Sequence, residues 1–352
     1  MLNPRTTFRL MLVVLLLVVG LVPAVSAQDD GPFRVAAVAP SATNDLAFSQ
    51  SMYDALLLVQ EEMGEENFQF DFQDGTFVVD DAAVALREWA ASGEYDLVIA
   101  HGSQYGAILE ELAPEFPEVS FAWGTDVNTF GLDNVYAYTA AAEEGGYING
   151  VIAASMTETG NIGVVGPIEV GDAKLYVDGF VAGVTATDPE IEVNVNYIQS
   201  FGDVPLATEA GQAFIANGAD VLTGSAQMVV GPIAVAKEAE SEVLWFGTQS
   251  AQVELADTIG VTFQVYRWDV VLNDIIASIG EGVLGGESYV LDLENGGLEI
   301  VISEVRYPED SEERAEVQAM VDELSAGIIA GDIVIFPEDE MAEPEETPEA
   351  EG

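Results

Sequence analysis

From Phe33 onward the chain alternates two kinds of apolar pattern. Short continuous apolar runs bounded by polar or glycine-bearing turns predict strands at Phe33–Pro40, Phe68–Phe72, Tyr95–His101 and Val119–Trp123. Between them, apolar residues recur at helical spacing over Asp45–Glu62, Ala82–Ser92 and Ser103–Leu112. Strands covered on both faces and joined by helices make a parallel sheet, so this stretch reads as one doubly wound α/β half.

The pattern restarts after a strand at Val135–Thr139. Helices at Ala142–Met156, Ala173–Thr185, Pro205–Asn217 and Val229–Ala239 alternate with strands at Ile162–Gly166, Val193–Ile198, Val221–Gly224 and Val243–Gly247. Beyond Gly247 come a strand at Val261–Tyr266, a helix at Trp268–Ile279, short strands at Tyr289–Leu293 and Leu298–Val305, a helix at Glu312–Leu324 and a last strand at Ile333–Phe336. That remainder is too short for a third domain. The expectation is a first lobe of 31–138 plus 251–284 and a second of 139–250 plus 285–336, joined by a multi-segment hinge with crossings near Thr139, Gln249 and Gly285.

Composition changes this picture mainly at the two ends. Arg5 and Arg9, an apolar run from Leu10 to Val22 and the small residues before Gln28 have the layout of a secretory signal peptide over 1–27. The apolar run is short for a membrane-spanning helix. The expected location is therefore across the cytoplasmic membrane, periplasmic or at the cell surface. From Pro337 the chain is rich in Glu and Pro and predicts a disordered acidic tail over 337–352. With no cysteine, disulfides, thiol catalysis and a lipidated cysteine anchor are excluded.

The formal charge is −53; removing Arg5 and Arg9 gives −55, and setting aside the eight acids after Phe336 leaves −47. A field of that sign repels nucleic acid and anionic lipid. The acidity fits a solubility adaptation, with a preference for cationic ligands as the alternative. A single histidine, His101, leaves no multi-imidazole metal site. His101 and Ser103 sit two residues apart with no Gly-x-Ser-x-Gly elbow, and no glycine turn carries the lysine of a nucleotide cradle. The chain is thus expected to be no enzyme, with no cofactor and no metal.

In open α/β sheets ligands lie beyond the carboxyl ends of the strands, where helix N-termini also point. The first such turn carries Asn44 and Asp45, with Phe48 and Gln50 one turn into the helix. An Asn-Asp pair there is also ordinary capping chemistry. Further cleft candidates at strand ends are His101, Gly102, Ser103 and Tyr105, then Trp123 and Asp126, then Ser225 and Gln227, then Arg267 and Trp268. Arg267 could bind a carboxylate, stack on a ring or pair with Asp269.

Asn44-Asp45-x-x-Phe48-x-Gln50 after a first strand resembles the hallmark of the basic membrane protein family of substrate-binding proteins. Tyr95–Ser103, Pro117–Ala122, Glu143–Gly150, Gly160–Gly166, Tyr197–Asp203 and Gly218–Leu222 follow in the family's order, so the likeness spans Phe33 to Val305. The resemblance implies a type I periplasmic-binding-protein fold with a ligand clamped between lobes. It implies a nucleoside or purine-like ligand stacked between aromatic rings, with Phe48 and Phe201 as the matching positions, delivered by a monomer to an ABC permease in the membrane. A ligand sensor docking on a membrane receptor is the alternative role. The chain departs from the family where acids often stand at the first strand end, here Ala39-Pro40, and in the turn of Gln249, and where a lysine stands near Tyr266.

Overall fold

The computed structural model describes residues 31–336, so the expected signal peptide and acidic tail lie outside the described residues. The first sheet contains β1 (Phe33–Val38), β2 (Phe68–Gln73), β3 (Leu97–His101), β4 (Ser120–Gly124) and β5 (Val135–Ala140). The second contains β6 (Asn161–Gly166), β7 (Glu192–Tyr197), β8 (Val221–Gly224), β9 (Leu244–Thr248) and β10 (Gly260–Tyr266). The short strands β11 (Ser288–Leu291) and β12 (Leu298–Ile302) complete them, giving orders β11-β5-β4-β3-β1-β2 and β12-β10-β9-β8-β6-β7. The five principal strands of each sheet share the order 5-4-3-1-2, all parallel. This is the doubly wound α/β arrangement of two parallel sheets expected of a type I periplasmic-binding-protein fold, and the centre of each sheet reads as an unbroken apolar run because helices cover both faces.

The helices are α1 (Phe48–Met63), α2 (Val79–Ser92), α3 (Gly106–Leu112), α4 (Ala142–Met156), α5 (Gly171–Thr187), α6 (Val204–Ala216), α7 (Val230–Lys237), α8 (Ala251–Leu255), α9 (Trp268–Gly280) and α10 (Glu312–Ile329). Helices α4 and α5 pack in direct backbone contact. Gly146 and Gly150 of α4 meet Gly179 and Gly183 of α5 backbone to backbone: a Cβ at Gly150 would overlap the Phe180 carbonyl, and one at Gly183 the Tyr147 carbonyl. Small residues four apart on each partner are what permit this approach.

Three segment assignments differ from the sequence expectation. β10 is in the second sheet, parallel to β9 through the short α8, whereas 251–284 was expected in the first lobe. β11 pairs with β5 in the first sheet, although 285–336 was expected in the second lobe. The chain therefore passes between sheets at Ala141, Arg267 and Asp292–Gly297 instead of near Thr139, Gln249 and Gly285. Period and apolarity report that a strand is buried and say nothing about its partner. The third difference is local: Ile333–Phe336 is not a strand, because the amides of Asp332 and Ile333 fold back onto the Gly327 carbonyl and cap α10.

Candidate functional site

The carboxyl ends of both parallel sheets open onto one cavity of about 330 Å³. Pro40 and Phe48 follow β1, Phe77 and Val79 follow β2, Gly102, Ser103 and Gln104 follow β3, and Thr125 follows β4. From the other side come Val170, Asp172 and Ala173 after β6, Phe201 after β7, Ser225, Ala226 and Gln227 after β8, Thr248 closing β9 with Gln249 after it, and Tyr266 closing β10. Strand order reverses between β1 and β3 in one sheet and between β6 and β8 in the other, and the cavity lies over both reversals. Crevices open there because the crossover helices of neighbouring strands leave on opposite faces.

One aromatic stack organises the wall. The Phe48 ring lies on the His101 imidazole, centroids 3.9 Å apart and 10° from parallel. Trp268 sets its edge against both rings, and stacks on Tyr266 at 5.2 Å. The Trp268 indole N–H donates to Ser51 Oγ at 2.9 Å, tying the start of α9 to α1. Phe48 and Tyr266, from opposite sheets, thus face the cavity from a common scaffold. His101 is fully buried, with Nδ1 2.8 Å from the Tyr138 hydroxyl and Nε2 without a partner. Burial pushes its pKa down to about 3, the Phe48 backbone opposing weakly. The imidazole is therefore neutral and supports the Phe48 ring from behind.

Of the residues expected from sequence, Phe48, Gly102, Ser103, Phe201, Ser225, Gln227, Gln249 and Tyr266 are brought together around the cavity. The others are placed elsewhere. Asp45 caps α1, accepting from the amides of Ala47, Ser49 and Gln50 and from the Ser41 hydroxyl, while Gln50 Oε1 accepts from the Leu46 amide. Asn44 is exposed in that turn. Tyr105 is buried on Thr76, accepting or donating at Oγ1 and donating to its carbonyl. Trp123 donates to the Gly102 carbonyl and stacks on Phe130; Asp126 holds the loop amides of Val127 and Asn128. Arg267 forms a two-pronged pair with Asp269, at 2.9 and 2.8 Å. Trp268 stands behind Tyr266. For all of these but the exposed Asn44, a nearer protein partner takes up the hydrogen-bonding group that the sequence position left free.

Sequence reasoning missed Asp172, Thr125, Gln104, Thr248 and the apolar rim of Phe77, Val79 and Val170. Among the described residues, Asp172 is the one charged residue lining the cavity. Burial raises its pKa, partly offset by hydrogen bonds from the Tyr266 hydroxyl, the local backbone and Thr125. Thr125 Oγ1 donates to Asp172 Oδ1 at 3.4 Å, and Gln252 Nε2 reaches the Leu46 carbonyl at 3.5 Å; both contacts cross from one sheet's loops to the other's. Gln249, 4% exposed and at φ 72°, leaves Oε1 without a partner, and Thr248, 1% exposed, leaves Oγ1 in the same state. Buried polar atoms without partners are costly, and here they sit where a ligand could supply them. The position of Asp172 over the second strand-order reversal was the available signal, once β6 and β8 were known to be neighbours.

The sequence model of the family described as "ABC transporter substrate-binding protein PnrA-like" matches residues 33–329. The chain is 25% identical over 268 residues to the transcriptional activator protein Med of Bacillus subtilis, covering 76% of this chain and 81% of that one. It is 25% identical over 256 residues to a purine-binding protein of Brucella abortus, covering 73% and 69%. A solved ABC transporter solute-binding protein from Conexibacter woesei superposes with a TM-score of 0.70 at 25% identity, over 86% of this chain and 98% of that one.

Proposed function

The chain belongs to the Bmp family of PnrA-like ABC transporter substrate-binding proteins, and from that premise we propose that it captures a nucleoside or purine-like compound outside the cytoplasmic membrane and presents it to an ABC permease. The observation that carries this reading is the pairing of Phe48 with Phe201 and Tyr266 from the other sheet around a single 330 Å³ cavity. Flat apolar faces with a few polar groups between them suit a heterocycle carrying hydrogen-bonding substituents. Ligand contacts with both sheets favour the closed arrangement of the lobes, with Ala141, Arg267 and Asp292–Gly297 as the strands of the hinge. This is a population shift with no covalent chemistry. The name of the Brucella abortus relative supports a purine.

The test is a thermal-shift panel of nucleosides, free purines and pyrimidines, amino acids and sugars on the mature chain. The expected result is a shift from a purine nucleoside that Phe48→Ala removes. A shift from an amino acid or sugar alone would overturn the ligand and leave the transport role standing. The alternative of a ligand sensor draws on the Bacillus subtilis relative named as a transcriptional activator. Cross-linking of the ligand-loaded chain to its membrane partner separates the two roles, since a permease is expected for transport.

A further inference from the structure

The polar lining of the cavity is unbalanced. Eight residues offer hydroxyl or amide groups, Asp172 offers a carboxylate, and among the described residues neither lysine nor arginine lines the cavity. The nearby cations are engaged elsewhere: Lys174 pairs with Asp178 on the outer side of α5, and Arg267 with Asp269 and Glu299. Asp172 is held by Thr125 from the opposite sheet's loops, and the Tyr266 ring, itself against the aromatic scaffold, lines the cavity with it. Gln249 Oε1, an acceptor, and the Thr248 hydroxyl, a donor and acceptor, are buried close by and unpartnered at the same cavity. The site thus sets groups that both donate and accept beside one carboxylate with no lysine or arginine at the cavity.

We propose that Asp172 is the specificity-determining residue of this cleft: its carboxylate accepts hydrogen bonds from hydroxyl or ammonium donors on an uncharged or cationic ligand and excludes anionic forms of the same ligand. The proposal rests on the reading that this cavity binds a small molecule. A carboxylate accepts up to four hydrogen bonds and donates none, so the group it faces must bring hydrogens. A phosphate placed there meets a like charge at short range in a partly dry site, with no arginine or lysine to divide the field between them, and like charges so placed repel strongly. A ribose edge or a primary ammonium satisfies the carboxylate directly. Burial raises the pKa of Asp172, as expected of a carboxyl group with no cation beside it. On closure Asp172 already touches Thr125, so a donor lodged between them would strengthen the contact that crosses the cleft.

The experiment measures affinity by calorimetry for adenosine, 5′-amino-5′-deoxyadenosine and adenosine 5′-monophosphate. The proteins are the mature chain, Asp172→Asn and Asp188→Asn, which removes the same charge at the far end of α5. Expected for the unaltered chain is binding of the first two and at least about 100-fold weaker binding of the monophosphate. Asp172→Asn is expected to weaken adenosine about 10- to 100-fold and to shrink the monophosphate penalty at least about tenfold; Asp188→Asn changes neither. Monophosphate binding within about threefold of adenosine, or an adenosine affinity indifferent to Asp172→Asn, would overturn the assignment. The discrimination by the unaltered chain is a readout even if the variant does not fold. If all three probes are silent, tyramine and 4-hydroxyphenylacetate replace them. Tyramine binding lost in Asp172→Asn then refutes the nucleoside reading and upholds Asp172, whereas binding of the acid, or of neither, overturns the role of Asp172.

Discussion

His101 offers the sharpest energetic test of the site, because it is the chain's single histidine and is completely buried. Its pKa falls from 6.5 to about 3 because the imidazolium would lose its hydration against Phe48, Tyr138 and Trp268 with no carboxylate to meet it. A group whose folded pKa lies below its unfolded value lets the unfolded chain bind more protons between the two, so stability falls as pH drops through 6.5 towards 3. At pH 5 the loss from this one residue is about 2 kcal/mol, from roughly 1.5 pH steps at about 1.4 kcal/mol each. Many carboxylates titrate in the same window, so the comparison is with His101→Phe, which keeps an aromatic ring behind Phe48 and has no proton to gain. Urea unfolding of the untagged mature chain and the variant at pH 7, 6 and 5 measures both. The stability difference between them is expected to move by about 2 kcal/mol from pH 7 to pH 5 against the unaltered chain. The single imidazole resonance in a proton NMR titration should stay neutral to below pH 4. Parallel pH profiles for the two proteins, or an imidazole midpoint near 6.5 in the folded state, would refute the burial argument.

Gly150→Ala should destabilise the chain by about 1–3 kcal/mol or more, because the added Cβ overlaps the Phe180 carbonyl and α4 and α5 must separate; the midpoint of urea unfolding reads this, and an unchanged midpoint would contradict the backbone contact. Gln249→Gly should raise stability by about 1 kcal/mol by relieving the left-handed backbone at φ 72°, and should weaken ligand binding by removing an acceptor from the cavity. Thermal melting and calorimetry on the same preparation separate the two effects, and a loss of both would mean that the glutamine is chiefly structural.

Much of the architecture was legible because burial leaves a local trace. The alternation of apolar runs with helical spacing placed twelve of the strands and nine helices near their observed bounds, and α4 spans Ala142–Met156 in both readings. The same logic located the cavity, since the carboxyl ends of parallel strands are where crevices open, and eight of the expected residues line it. The short α8 was not anticipated, because its five residues lie below the length at which periodicity speaks.

What the chain determined by itself was therefore which segments are helices and strands, and at which turns a ligand could be met. Which sheet β10 and β11 join, and so where the hinge runs, was decided only in three dimensions, because an apolar strand satisfies its hydrogen bonds equally well beside any buried edge until the connecting helices are packed. The roles of single polar residues were decided there too. Asp45 and Asp172 look alike among 62 acidic residues. Both stand at a helix start, but one is taken up by the amides there as a cap, while the other, in the first turn of α5, also lines a cavity with Thr125 brought across from the opposite sheet. A side chain's chemistry depends on what the tertiary fold places within hydrogen-bonding reach of it, and that partner can lie anywhere in the chain.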